Sequence, residues 1–147
     1  MIGRTADLVP RGPLRANIWS VHVTLGFVTA FVLLTRVAWR ARFGRVLAPA
    51  DSGVLYIFAK VTHYTLYILL AVVVIIGMID ASYRGFNLFG AWSVPQFGTG
   101  DPTIRNTIDM RHGLAANLLI LVAAAHAVAA LGHHYIWRDH LLHRMRP

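Results

Sequence analysis

The 147-residue chain has no cysteine, which excludes disulfide scaffolds, thiolate zinc sites, cysteine-ligated iron–sulfur clusters and covalent C-x-x-C-H haem attachment. It has no glutamate either. Its six acids are all aspartate, and Lys60 is the one lysine among 14 basic residues. Charged side chains make up 14% of the chain, against about 25% in an ordinary soluble domain. The polar surface needed in water is missing.

What is present is apolar. Hydrophobic residues reach 56% and mean hydropathy is +0.56, a composition that excludes intrinsic disorder and fits one domain. The net charge of +8 raises nucleic acid as a partner. The arginines, however, form short clusters between long apolar runs, as they do where basic residues stay on one side of a bilayer. Membrane lipid is the expected partner, and nucleic acid is not.

Three segments are long and apolar enough to cross the hydrocarbon core, which takes roughly 20 helical residues. They run from about Ile18 to Trp39, from Val54 to Ile79, and from Gly113 through Leu131 into the more polar His133–Trp137. Together they predict a single all-α membrane helical bundle over residues 1–147. No segment reads as a cleavable leader, because the N-terminal stretch is polar and broken by proline. Between the second and third spans, Ser82–Arg111 is rich in glycine, proline and aromatics. It is expected to be irregular and to fold along the membrane surface, since an open backbone cannot lie in lipid.

The basic residues also predict an orientation. Arg36, Arg40, Arg42, Arg45 and Lys60 against Asp51 share a face with Arg138, Arg144 and Arg146 against Asp139. The opposite face sets Arg4, Arg11, Arg15, Arg84, Arg105 and Arg111 against Asp7, Asp80, Asp101 and Asp109. The first face has the larger positive excess and is expected to be cytoplasmic, with the C-terminus there. Three spans then leave Arg4, Arg11 and Arg15 outside without a leader. A preceding helix would resolve this, so a four-helix design lacking its first helix is the expectation. A separate helix or a homo-oligomer partner would complete it.

The eight histidines carry the chemistry. His112 and His126 are fourteen residues apart, nearly four helical turns, so both face one way at levels about 21 Å apart. His22 enters from the same side as His112, and His63 from the other side, towards His126. Two depth-matched ring pairs suit a stacked pair of haems, because bis-imidazole ligation inside a helix bundle holds low-spin iron. The plainer alternatives remain open. A single intramembrane histidine more often hydrogen-bonds between helices, and His133, His134, His140 and His143 near the interface can simply be solvated. Zinc would favour closer histidine pairs and a carboxylate, and no acid lies within the predicted spans. A haem-free structural subunit and a metal transporter are the other readings.

Small residues fit a close-packed bundle: Gly26 lies four residues after His22, and alanines crowd the third span, among them Ala115, Ala116 and Ala123–Ala125. Ordinary membrane packing accounts for the alanines equally well. Arg15 and Arg111 beside His22 and His112, and Arg36, Arg40 and Lys60 towards the other face, are candidate cations for haem propionates. Any of them can equally be a snorkelling anchor.

Several motifs together resemble the prokaryotic cytochrome b561 family. In the first span they are Val21-His22-Val23-x-x-Gly26 and Arg36-x-x-x-Arg40; in the second, His63-Tyr64 followed by Tyr67 and Gly77. In the third they are His112-x-x-x-Ala116-Asn117 and Ala125-His126-Ala127. The tail adds His133-His134-Tyr135-x-Trp137-Arg138-Asp139 and Leu142-x-Arg144-Met145. The resemblance covers the chain from about Pro10 onward and implies a four-helix dihaem membrane cytochrome with haem b iron. It implies His22 and His112 as axial ligands of the outer haem and His126 as one ligand of the inner haem. The inner haem's other ligand would come from an earlier helix or from His63, the weaker candidate. Single-electron transfer between a donor and a membrane quinone such as ubiquinone, in the respiratory chain, is the implied activity. Some members resemble a superoxide oxidase, which makes superoxide a candidate donor, and His133 and His134 become candidate quinone neighbours. An anchor subunit for a dehydrogenase or hydrogenase is the alternative role within this class.

Overall fold

The structure, a computed structural model, describes residues 8–44 and 54–137. Arg4, Asp7, Arg45, Asp51, Arg138, Asp139, His140, Leu142, His143, Arg144, Met145 and Arg146 lie outside the described residues. The fold is all-α, with three helices among the described residues long and apolar enough to cross a membrane. They are α1 (Pro13–Phe43), α2 (Val54–Arg84) and α3 (Pro102–Gly132), each of 31 residues. A π-helical turn, His133–Trp137, continues α3. Their large apolar side chains face outward, with Phe31 71% and Leu34 70% exposed, as lipid-facing surface requires.

Each helix outruns the span expected from hydrophobicity. α1 starts at Pro13, an N1 proline whose fixed φ suits a first turn, and ends where the Gly44 N–H reaches the Arg40 carbonyl at 3.0 Å. α2 continues past Ile79 through Asp80 to Arg84. There Gly85 takes a positive φ of 66° and its N–H meets the Ala81 carbonyl at 3.0 Å, a left-handed C-terminal cap.

The largest departure is in Ser82–Arg111, expected to be irregular throughout. Its first residues complete α2, and its last ten begin α3. Asp101 caps α3: its carboxylate accepts the Thr103 N–H at 2.7 Å and its carbonyl the Arg105 N–H at 3.1 Å, with Pro102 in the first turn. His112 therefore sits ten residues inside a helix rather than opening one. Asp80 and Asp109, outside the predicted apolar spans, likewise lie within helices.

The irregular remainder contains a small antiparallel hairpin, β1 (Asn87–Leu88) with β2 (Trp92–Ser93). Phe89 (φ 54°) and Gly90 (φ 74°) turn it, the positive φ values that mirror-image hairpin turns need.

The chain divides into two compact units. One draws on residues up to Gly44 and on Ala71–Gly113; the other on Arg45–Leu70 and residues from Leu114 onward. The first has a core of Ala81, Leu88 and Val94, packed by Val23, Phe27 and Phe86. Ser20 on α1 pins the hairpin to it. Its hydroxyl accepts the Phe89 N–H at 3.2 Å and lies 3.0 Å from the Ala16 carbonyl and 3.4 Å from that of Asn87.

Candidate functional site

In the first unit, His22 on α1 and His112 on α3 meet. Their ring centroids are 6.1 Å apart and their planes cross at 78°. Around them the packing is close on one side and open on the other. Gly77 of α2 lies against His112 so tightly that a Cβ there would stand 2.9 Å from Cε1 and 3.3 Å from Nδ1. A Cβ at Gly26, one turn along α1 from His22, would meet nothing within 4 Å. Trp19 sets its indole edge-on to His22, with centroids 5.9 Å apart.

In the second unit, His63 on α2 and His126 on α3 form a similar crossed pair, 5.2 Å between centroids at 75°. Both pairings expected from depth along the helices are thus present, each within its own unit. His133 and His134 lie on the π-helical turn, where the His134 ring contacts Tyr135 at 4.7 Å.

The first pair fits an iron with two axial imidazoles. Two metal–nitrogen bonds of about 2 Å each, plus the distance from each nitrogen to its ring centre, separate such centroids by about 6 Å. Two rings bound to one metal can adopt a crossed arrangement of this kind. His112 Nδ1 is, among the described residues, the buried side-chain nitrogen that lacks a hydrogen-bonding partner, and a neutral imidazole nitrogen readily serves as a metal ligand. Also among the described residues, no group of three or more histidine and aspartate side chains converges, as a zinc site would require.

Beyond His22 and His112 lies a cavity of about 480 Å³ that the sequence reading did not anticipate, lined by Arg11, Arg15, Arg84 and Arg105 together with Trp19 and Asp109. Arg84 is held on two sides: Nε is 2.8 Å from Asp80 Oδ1, and Nη2 is 3.5 Å from Asp109 Oδ1. Its guanidinium also lies over the Phe86 ring. Asp80 is buried, so this pair is largely shielded from solvent. Of the cations proposed beside this pair, Arg15 lines the cavity, whereas Arg111 is exposed and does not. Lys60, proposed for the other pair, places Nζ over the Tyr56 ring.

Residues 3–147 match the family described as prokaryotic cytochrome b561. The chain belongs to this family. Cytochrome b561 relatives include Cytochrome b561 homolog 1 of Escherichia coli, 37% identical over 128 residues, 86% of this chain and 73% of that protein. The Yersinia pestis protein named Probable superoxide oxidase CybB is 30% identical over 130 residues, with the same two coverages. Cytochrome b562 of Cereibacter sphaeroides is 31% identical over 131 residues, 86% of this chain and 67% of that protein. No solved structure matches the chain. As a cytochrome b561, it is an integral membrane protein of electron transfer, and the cofactor of that class is haem b.

Proposed function

We propose that the chain is a bis-histidine haem cytochrome passing single electrons from a donor at one membrane face to quinone in the bilayer. The observation that carries this reading is the 6.1 Å approach of His22 to His112 beside the glycine at position 77. The pairing of His63 with His126 supports a second haem at the other level. When bound, haem supplies a one-electron iron couple that the protein tunes but does not itself provide.

The chain's own residues set the conditions for that couple. His22 and His112 would together hold one haem iron from two helices, and iron held by two imidazoles has no open position for oxygen. Gly77 lets α2 close on His112, and the indole of Trp19 fixes one side of the His22 ring. Basic clusters support an orientation with the C-terminus in the cytoplasm, which puts the arginine cavity on the outer face. The basic residues of that face raise the local concentration of an anionic donor. Superoxide is the donor suggested by the name of the Yersinia pestis relative. His133 and His134, on a π-helical turn of the kind often found at functional sites, are the proposed quinone neighbours at the inner face.

Visible spectra of the purified protein test the reading. Bis-histidine haem gives a sharp Soret band and well-resolved α and β bands on reduction. His22→Ala and His112→Ala should each abolish the same haem. A colourless protein from porphyrin-rich cells, or loss of different haems in the two variants, overturns the assignment.

A further inference from the structure

The arginine cavity has a regular relation to the histidine pair. Arg15 precedes His22 by seven residues on α1, Arg105 precedes His112 by seven on α3, and Arg84 follows Gly77 by seven on α2. Seven residues make two helical turns, which returns a side chain to the same helix face about 10.5 Å along the axis. All three arginines line one cavity. Three helices therefore bring guanidinium groups together two turns beyond the paired rings, in one direction. Trp19 lines that cavity and touches His22, and Asp109 lines it one turn before His112.

Cations outnumber acids among the residues that line the cavity. Arg11, Arg15, Arg84 and Arg105 line the cavity, with Asp109 as the one carboxylate among its lining residues. A guanidinium has five N–H donors, and the ion pairs of Arg84 with Asp80 and Asp109 engage only its Nε and Nη2. Its plane is thus fixed in advance with donors to spare, the arrangement suited to a bidentate carboxylate.

Resting on the haem reading above, we infer that this collar is the seat of the haem propionates, with Arg84 as the residue clamped in place to receive one. Two carboxylates carried on one edge of a macrocycle match both the positive excess and the two-turn offset from the rings. A small diffusing anion would use the same chemistry, and the two sources separate experimentally.

The test uses the full-length holoprotein carrying Arg15→Gln, Arg105→Gln, both together, or Arg84→Lys, which keeps the charge but loses the fork. Haem release to excess apomyoglobin and the midpoint potential are measured for each. Losing a charge-assisted contact should speed haem release by about tenfold or more and lower the potential. Arg84→Lys should fall between wild type and Arg15→Gln/Arg105→Gln. Protein reconstituted with the dimethyl ester of the same haem should release it at one rate in wild type and all variants. Unchanged release of haem b overturns the inference, as does equal acceleration for acid and ester. Altered inhibition by added inorganic anions with haem release untouched also overturns it and assigns the cavity to a free anion. Failure of the underlying reading is seen separately, as a haem content that does not fall in His22→Ala and His112→Ala.

Discussion

The rings of His22 and His112 cross at 78° with their centroids 6.1 Å apart. When axial imidazole planes are crossed, each ring donates to a different π-symmetry d orbital of iron, and the two orbitals stay nearly equal in energy. The oxidised protein should therefore give a strongly anisotropic low-spin electron paramagnetic resonance signal, dominated by one large g value. A rhombic three-line spectrum, the mark of parallel rings, would show that the geometry differs when haem is bound.

The backbone of α2 comes close to this pair at Gly77. A methyl group there would stand 2.9 Å from His112 Cε1, too close to remain without displacing the ring or separating the helices. Overpacking of this kind costs about 1–3 kcal/mol. Gly77→Ala should reduce the fraction of low-spin haem and the temperature at which the Soret band is lost. Gly113→Ala, where a methyl meets nothing within 4 Å, should leave both unchanged or slightly improve stability through lower backbone entropy.

These two sites also show what the sequence could and could not reveal. The pairings His22 with His112 and His63 with His126 were legible because helical periodicity fixes face and depth from spacing alone. Helix ends were misjudged because apolarity marks where lipid begins, not where hydrogen bonding begins. Thr103–Arg111 is polar, yet Asp101-Pro102 is a cap followed by an N1 proline, and that signal locates the start of α3. Gly77 is legible in the sequence only as the last member of the motif His63-Tyr64, Tyr67, Gly77. Its contact with His112 depends on how helices approach, which local sequence does not encode. Arg84 was hidden for the same reason: its partner Asp80 is one turn away, but its second partner Asp109 lies on another helix.

The Asp80–Arg84 pair is nearly buried, with both side chains 12% exposed. Removing one member strands the other charge, which typically costs about 3–5 kcal/mol for a buried pair. Asp80→Asn should therefore lower thermal stability markedly. The double variant Asp80→Leu/Arg84→Leu should recover much of that loss, because no uncompensated charge remains. If the double variant proves no more stable than Asp80→Asn alone, the pair's Coulombic coupling is not what the single substitution removed.

Ser20 is 2% exposed and ties α1 to the hairpin through the Phe89 N–H. Ser20→Ala leaves that donor without its acceptor, at a cost of about 1–3 kcal/mol. The effect should appear as faster protease cleavage between residues 87 and 93 and a lower unfolding temperature. Haem spectra should stay close to wild type, since Ser20 does not touch either ring. Unchanged cleavage would mean that the core of Ala81, Leu88 and Val94 holds the hairpin by itself.

The second histidine pair makes a quantitative demand on its own unit. His63 and His126 stand 5.2 Å apart, nearer than the about 6 Å that two imidazole–metal bonds impose. Admitting iron there means separating the rings by roughly 1 Å, a shift that side-chain rotation can supply because His63 is on an exposed part of its helix. If His63 supplies the ligand, His63→Ala and His126→Ala should each remove one of two haems and leave the anisotropic signal of the His22–His112 site intact. The pyridine haemochrome assay should then fall from about two haems per chain to one, the same in both variants. Two haems persisting in His63→Ala, with loss only in His126→Ala, would mean that another chain or segment supplies the opposing ring and that the contact with His63 is packing alone.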